Sequence, residues 1–312
     1  TETASALETR GVYQFPSDSI RIWPPDYKAQ DTFAHGNNDF TCSAYDNTHA
    51  YWGATHEKSW LAVKNNPHIA GLFVWSGFDY LGEPLPYPKF PSRSSYYGII
   101  DLAGFPKDVY YMYQSEWTDK PVLHVFPHWT WRQSDTVDVW AYYNNADEAE
   151  LYLNGKSAGK RQKTDSSLHV MWRLPYKQGA VKVVTRKNRK QILVKEIRTA
   201  GKPERIELVA DKINLRADGN DLCFVTVRVT DSNGNLVPDA GNRITFSLAG
   251  AGKIAGTDNG YQADTISLKS PVRNCWKGLA LAIIQSGEKK GNITLTAKSP
   301  GLKPASISLK VK

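Results

Sequence analysis

The stretch Ile69-Ala-Gly-Leu-Phe-Val-Trp75 is a continuous apolar run without a charged residue. Short runs of this kind are typical of a strand that is buried on both faces of a parallel sheet. Before it, aromatic and aliphatic residues recur at helical spacing over residues 47–65, and Asn66 with Pro67 ends that pattern. The sequence therefore predicts a helix followed by a doubly buried parallel strand.

A second predicted helix comes after a proline-rich loop at residues 82–91. Pro106 suits the first position of a helix, so we expect this helix to begin there and to continue to about Trp117. A helix, a buried strand, a loop and a helix form part of an α/β pattern. We therefore assign residues 1–118 to an α/β region.

The hydrophobic period changes to two after residue 118, which indicates β-structure. Alternating patterns occupy residues 137–143 and 148–153, and Asn154 with Gly155 supplies the two positive φ angles of a type I′ hairpin. Further strand patterns cover residues 168–174, 180–186 and 192–198. So many short strands predict an immunoglobulin-like β-sandwich over residues 119–201.

A second all-β region follows a linker at residues 199–203, which contains glycine and proline. Its strand patterns are residues 222–231, 243–248, 279–285, 292–297 and 307–311. We expect a second immunoglobulin-like sandwich, of the invasin-like type, over residues 202–312. The predicted fold class is thus multidomain, α/β followed by all-β.

Charge and hydropathy exclude several classes of function. The net charge is +8, but the densest basic run, residues 182–195, mixes cations with Val and Ile, as the solvated face of a sheet does. We therefore predict no nucleic-acid partner; binding that disappears in modest salt would argue for one.

No apolar run approaches the ~20 residues that cross a bilayer, so we predict no membrane span. Residues 1–6 lack a basic region and an apolar core, so we expect no signal peptide within this chain.

The three cysteines give no indication of a metal site or a disulfide framework. Cys42, Cys223 and Cys275 are far apart in the sequence, and no Cys-x-x-Cys or Cys/His cluster accompanies them. We interpret them as small buried apolar residues. The sequence also contains no nucleotide-binding loop, metal-ligand cluster or Ser/His/Asp arrangement, so we predict no cofactor and no metal.

Two motifs stand out within residues 1–118: Gly71-Leu-Phe-Val-Trp-Ser-Gly-Phe-Asp-Tyr-Leu-Gly-Glu-Pro84 and Ser95-Tyr-Tyr-Gly-Ile-Ile-Asp-Leu-Ala-Gly-Phe-Pro-Lys-Asp108. Together with several further segments, they resemble the C-terminal portion of bacterial glycoside hydrolase family 2 enzymes of the β-galactosidase type. The resemblance extends over essentially the whole chain. Its most specific segments are residues 1–6, 10–13, 71–84, 95–108, 117–121, 128–131, 144–155 and 218–222.

The resemblance implies that residues 1–118 are the last quarter of a (β/α)₈ TIM barrel, followed by two immunoglobulin-like sandwiches. In such barrels the catalytic groups stand at the C-terminal ends of the strands. The Asn-Glu motif that carries the acid/base residue on the fourth strand of the family does not occur in this sequence. We therefore expect this chain to be inactive alone.

The resemblance also implies two site residues. Glu2 falls at the end of the seventh barrel strand, where the family has its nucleophile, and Trp75 ends the eighth, where a tryptophan followed by a non-proline cis peptide supports the sugar ring. A retaining glycosidase needs a carboxylate against the anomeric carbon and a second carboxyl group roughly 5–5.5 Å away. For Asp79 and Glu83, in the following loop, we expect hydrogen bonds that shape the loop.

The resulting functional hypothesis is hydrolysis of terminal β-linked sugars by double displacement. Galactose is expected by analogy, and glucuronides and other β-glycosides stay open. We expect the missing part of the barrel, or self-association, to cover the apolar surface of residues 1–118, and a periplasmic or secreted bacterial location. The alternative is a non-catalytic spacer or carbohydrate-binding module; its candidate aromatic residues are Trp129, Trp131, Trp140, Trp172 and Trp276.

Overall fold

The computed structural model describes residues 2–23 and 39–312, with Glu2 described by its backbone alone. The chain divides into two compact units, Thr1–Thr199 and Ala200–Lys312. This division falls within the glycine- and proline-containing stretch at residues 199–203. The three domain ranges proposed above, with their boundaries after residues 118 and 201, stay predictions.

The first part of unit 1 contains short parallel strand pairs and two helices. In chain order, its elements are β1 (Glu2–Ala4), β2 (Arg21–Trp23), β3 (Thr48–Ala50), α1 (His56–Lys64), β4 (Phe73–Trp75) and α2 (Asp108–Trp117). Strand β1 pairs in parallel with β4, and β2 pairs in parallel with β3. These are the two helices of the described residues, which are otherwise mostly β because of the strands that follow α2.

Both helices are shorter than the sequence predicts. Helix α1 begins at His56 because the Thr55 side chain caps it by accepting from the backbone N–H of Lys58, and because the Asp46 carboxylate accepts from the backbone N–H groups of His56 and Glu57. The predicted start at residue 47 is wrong, since residues 48–50 form β3. Helix α2 ends at Trp117 as predicted but begins at Asp108, two residues after Pro106.

The prediction that the strand ending at Trp75 is buried on both faces is wrong for this chain. Strand β4 has only three residues; the Phe73 side chain is 77% exposed and that of Trp75 is 37% exposed. Among the described residues, β4 has β1 as its single neighbouring strand. The faces of a parallel strand are buried by helices or by another sheet, and the described residues leave Phe73 and Trp75 without such a cover.

The rest of unit 1 is a β-sandwich of two antiparallel sheets. Its strands are β5 (Leu123–Phe126), β6 (Thr136–Tyr143), β7 (Glu148–Leu153), β8 (Lys156–Arg161), β9 (His169–Pro175), β10 (Ala180–Lys187) and β11 (Lys190–Arg198). The sheet orders are β5-β6-β9 and β11-β10-β7-β8. Trp129, Trp172 and Val183 are in the core between the sheets. The predicted hairpin at Asn154 and Gly155 is confirmed, with φ values of 51° and 83°.

Unit 2 is a larger sandwich. Its strands are β12 (Arg205–Ala210), β13 (Asn214–Leu215), β14 (Leu222–Thr230), β15 (Arg243–Gly250), β16 (Gly252–Asp258), β17 (Val272–Asn274), β18 (Leu279–Ser286), β19 (Gly291–Lys298) and β20 (Ala305–Val311). The sheet orders are β12-β14-β18-β16 and β13-β20-β19-β15-β17. The five strands predicted here are present, whereas β12, β13, β16 and β17 are additional.

Exposed apolar side chains concentrate at the start of the chain. Eleven of the fifteen large apolar side chains that are exposed in the described residues precede residue 120. The predicted apolar surface on this region is thus present. The eleven are Ile20, Ile22, Tyr51, Trp52, Ile69, Phe73, Trp75, Phe78, Leu81, Phe90 and Trp117.

Two further predictions concern burial and length. Cys42, Cys223 and Cys275 are all buried, as expected for small apolar residues. Neither of the helices in the described part of the chain is long and apolar enough to span a bilayer.

Candidate active site

Strands β1 and β4 bring the two predicted site residues onto neighbouring strands. In the parallel register Glu2 is opposite Phe73, and Ala4 is opposite Trp75. With about 4.8 Å between strands and about 3.3 Å per residue, the Cα atoms of Glu2 and Trp75 are roughly 8 Å apart. The Glu2 side chain lies outside the described part of the structure, so its role as nucleophile stays a prediction.

The backbone turns sharply where β1 ends. Ala4 and Ser5 have φ values of 80° and 51°, in the left-handed region that residues with a Cβ seldom adopt. The Ala4 carbonyl accepts from the N–H of Ala54 at 2.7 Å, and the Ser5 carbonyl accepts from the N–H of Ala50 at 3.0 Å. A Cβ on Gly53 would lie 2.1 Å from the Ala4 carbonyl oxygen, so this approach requires glycine. Such backbone outliers cluster at functional sites.

The loop after β4 begins with the Trp75–Ser76 peptide bond, which is cis as the resemblance predicts. It runs beside the segment 97–100. Ser76 donates its N–H to the Tyr97 carbonyl at 3.0 Å, and Asp79 donates its N–H to the Ile100 carbonyl at 2.8 Å. These hydrogen bonds hold the loop directly after Trp75 against a second stretch of backbone.

Gly98 allows that close approach. A Cβ at this position would lie 2.0 Å from the backbone nitrogen of Asp79 and 2.5 Å from the carbonyl oxygen of Ile100. The Gly98 N–H donates to the Asp79 carboxylate at 2.8 Å. Glycine is therefore needed here for space rather than for an unusual φ angle.

Asp79 forms a buried ion pair with Lys107. The Lys107 ammonium nitrogen lies 2.9 Å from the carboxylate, and both side chains are fully buried. Burial raises the pKa of Asp79 to about 7, against the opposing effects of Lys107 and of the Gly98 N–H. The hydrogen-bonding role expected for Asp79 is confirmed.

Glu83 acts on Trp75 through Tyr80. The Trp75 and Tyr80 rings meet edge to face with centroids 5.9 Å apart, and the Tyr80 hydroxyl donates to Glu83 Oε2 at 2.6 Å. Desolvation and this hydrogen bond raise the pKa of Tyr80 above its usual value. Glu83 thus has the loop-shaping contact that the sequence predicts for it.

A second buried ion pair fixes the chain that follows β1. Arg10 Nε lies 2.6 Å from Asp101 Oδ2, and the Arg10 guanidinium is 4.9 Å from the centre of the Phe105 ring. Asp101 also accepts the N–H of Phe105 at 2.9 Å through its other oxygen. Both ion pairs therefore join residues just after β1 or β4 to the segment that leads into α2.

Glu8, Asp46 and His56 form a buried cluster in which one potential ligand atom of each lies within 4.8 Å of the others. Their contacts favour a polar core over a metal site. Both Asp46 oxygens accept backbone N–H groups at the start of α1, and His56 Nδ1 is 3.0 Å from the Tyr113 hydroxyl. Burial raises the pKa of Glu8, raises that of Asp46 to about 7 and lowers that of His56 to about 3.

The tryptophans that could serve a carbohydrate-binding sandwich are mostly in the interior. Trp129, Trp140 and Trp172 are buried. Trp131 is half-buried and stacked on His128 with centroids 4.4 Å apart, and Trp276 is half-buried and stacked on Tyr261 at 4.0 Å. Packing accounts for all five, so they favour the structural interpretation over a sugar-binding one.

Sequence reasoning missed two residues that hold the loop after Trp75 through Asp79. Gly98 and Lys107 both lie in the segment 95–108 that carries the resemblance, but no local pattern indicates that either contacts Asp79. Gly98 and Lys107 are 19 and 28 positions from Asp79 in the sequence, so only the tertiary fold shows these contacts.

Comparison with known proteins gives family matches for the β-sandwich regions. Residues 206–308 match glycoside hydrolase family 2 C-terminal domain 5, and residues 134–193 match a domain family of unknown function, DUF4982. The β-galactosidase BoGH2A of Bacteroides ovatus is 52% identical over 309 residues, which is 99% of this chain and 36% of that protein. A putative β-glucuronidase of Formosa agariphila is 35% identical over 72% of this chain and 22% of that protein.

A solved structure supports the same relationship. The crystal structure of a β-glycosidase from Bacteroides vulgatus superposes with a TM-score of 0.86 at 30% identity, covering 100% of this chain and 41% of that one. The chain thus spans about a third of the length of the β-galactosidase that it matches. Because of these matches along its length, the chain belongs to glycoside hydrolase family 2 and corresponds to a C-terminal portion of such an enzyme.

Proposed function

We propose that the complete protein hydrolyses terminal β-glycosidic bonds, with β-galactosides as substrates, by a retaining double displacement. The observation that carries this proposal is the parallel pairing of β1 with β4, which puts Glu2 and Trp75 on neighbouring strands. The β-galactosidase named for the 52% identical relative supports galactose. The putative β-glucuronidase at 35% identity keeps glucuronides as the competing substrate class.

In the proposed reaction, the Glu2 carboxylate attacks the anomeric carbon and forms a covalent glycosyl-enzyme. A carboxylic acid from the rest of the barrel protonates the leaving oxygen, and then activates the water that hydrolyses the intermediate. Trp75 supports the sugar ring, and the 76–83 loop holds the indole in place. Residues 1–118 supply the last quarter of a TIM barrel in this proposal.

The exposed apolar side chains before residue 120 support a barrel that continues outside this chain. Large exposed apolar patches usually mark contact surfaces. The proposed cover is the N-terminal part of the same barrel; without it, self-association is the expected alternative. The chain alone is then inactive.

The proposed partners are carbohydrate substrates and not nucleic acid. Because a close relative comes from a Bacteroides species, we also propose a periplasmic or secreted location.

The test compares this chain with a longer protein that restores the preceding barrel, using chromogenic β-galactosides and β-glucuronides. We expect turnover only from the longer protein. The Glu2→Gln variant of that protein should have at least a thousandfold lower activity. Glu288→Gln is the matched control, since this carboxylate is exposed in unit 2. A glycosyl-enzyme that adds one sugar to the intact mass of the longer protein, and that peptide mapping places on Glu2, would establish the nucleophile. Full activity of Glu2→Gln would contradict the proposal.

A further inference from the structure

We propose that Lys107 is a positioning residue for Trp75, because its buried ammonium ties the loop after β4 to the chain after β1. The inference rests on the proposed function, in which Trp75 supports the sugar ring. The same contacts also predict an effect on the indole that can be measured without substrate.

The Lys107 ammonium joins three separate segments. Its nitrogen lies 2.9 Å from the Asp79 carboxylate, 2.9 Å from the carbonyl oxygen of Glu8 and 3.1 Å from the carbonyl oxygen of Tyr96. Asp79 is four residues beyond Trp75, Glu8 is four residues beyond the end of β1, and Tyr96 is two residues before Gly98. An ammonium has three N–H donors, so each segment takes one of them.

Burial makes these contacts hard to replace. The side chains of Lys107 and Asp79 are both fully buried, so water cannot take over a lost hydrogen bond. Removal of one partner from a buried pair leaves the other polar groups without compensation, and the structure around them must rearrange. The segment that can move most easily is the loop after Trp75, because it contains exposed residues such as Phe78 and Leu81.

Trp75 itself has little packing to fix its direction. Its side chain is partly exposed, and its ring contact with Tyr80 is made inside the same loop that carries Asp79. The placement of this loop therefore sets the orientation of the indole. Lys107 acts on Trp75 through Asp79 and does not touch the sugar.

The first arm of the test measures the full 312-residue chain, labelled with 5-fluorotryptophan, by fluorine NMR. The Trp75 signal is identified by its loss in Trp75→Phe. We expect Lys107→Met to shift or broaden this signal, and Asp79→Asn to change it less. Arg273→Met is the matched control: it removes an equally buried cation, 2.9 Å from Asp264 in unit 2, and leaves the Trp75 signal in place. Should Lys107→Met fail to fold, Asp79→Asn decides the result.

The second arm measures kcat and KM for an aryl β-galactoside in the longer protein. A purely structural role lowers the amount of active enzyme, and hence kcat, without changing KM. Positioning of Trp75 instead raises KM, and we expect kcat/KM to fall at least tenfold in Lys107→Met but not in Arg273→Met. An unchanged Trp75 signal together with an unchanged KM would overturn the inference. If the longer parent protein cleaves no β-glycoside, the proposed function fails, while the fluorine signal still decides whether Lys107 positions Trp75.

Discussion

Residues 2–118 and unit 2 differ in how far they bury their apolar side chains. In unit 2, two sheets face each other and enclose residues such as Val227, Ile284 and Leu295, which have no exposed surface. In residues 2–118, β4 has one described neighbour, and Phe73 and Trp75 project into solvent. A sandwich closes its core within one stretch of chain, whereas a strand with one described neighbour and exposed apolar side chains depends on other parts of the protein for its cover. Independent stability should differ accordingly.

The largest expected effect is on folding of the separate regions. Residues 200–312 expressed alone should be monomeric and unfold in one cooperative denaturant transition, because both sheets and their shared core are included. Residues 1–118 alone should bind a hydrophobic dye and associate, because their apolar side chains stay uncovered.

Size-exclusion chromatography and denaturant unfolding, followed by circular dichroism, compare the two pieces directly. The intact 312-residue chain exposes the same apolar side chains, so it is the positive control for dye binding. A monomeric, cooperatively folded 1–118 piece without dye binding would remove the contrast between the two regions.

A smaller effect tests how closely the loop after Trp75 packs against residues 97–100. Gly98→Ala inserts a methyl group 2.0 Å from the backbone nitrogen of Asp79, so the 76–79 loop must move. Overpacking of this kind costs about 1–3 kcal/mol. Gly77→Ala, in the same loop, is the matched control because a Cβ there meets no atom within 4 Å.

Chemical denaturation of the intact chain gives the change in unfolding free energy for each variant. We expect Gly98→Ala to destabilise unit 1 and leave the transition of unit 2 unchanged. Equal effects of Gly98→Ala and Gly77→Ala would mean that the loop is looser than its hydrogen bonds to residues 97–100 indicate.

The two regions also differ in how far the sequence predicts them. Strand β7 and its Asn154-Gly155 turn are found as predicted, because alternation and turn chemistry are local signals. The start of α1 was misplaced by nine residues, because the Asp46 carboxylate, ten residues before His56, selects where the helix begins. Edge strand β16 was missed, since Gly252 and Gly256 interrupt its apolar pattern.

For the candidate site, the sequence motif indicates Trp75 and the hydrogen-bonding roles of Asp79 and Glu83. It does not indicate the buried lysine that contacts Asp79. Lys107 is a single cation in a polar segment, and its burial depends on the approach of three segments that are distant in sequence. Buried ion pairs of this type need the full tertiary structure before they can be identified.

The remaining expected effect is a difference in pH response between the units. In unit 1, burial raises the pKa of Glu8 and raises that of Asp46 to about 7, so the folded form binds protons that the unfolded form has released. Stability of unit 1 then falls as the pH rises from about 4 to 7. His56 opposes this trend, because burial lowers its pKa to about 3, but one imidazole acts against two carboxyl groups.

In unit 2 the sign is reversed. Hydrogen bonds and neighbouring cations lower the pKa of Asp218 and lower that of Asp221 to about 2, so these carboxylates favour the folded form at pH values above about 4 and lose that contribution in more acidic solution. Between pH 5 and 7 we therefore expect no decline in unit 2.

The variant that isolates this difference is Asp46→Asn, which removes one titrating group and keeps a side chain that can still accept a backbone N–H. We expect it to flatten the decline of unit 1 between pH 5 and 7 by up to about 1.4 kcal/mol per pH unit, the contribution of one proton. Asp218→Asn in unit 2 is the control, and it should leave that slope unchanged. Denaturant titrations of the intact chain at pH 5, 6 and 7 measure both slopes. A parallel pH dependence in the parent chain and in Asp46→Asn would show that Asp46 is ionised in the folded chain, and that the buried cluster is less sensitive to pH than its surroundings imply.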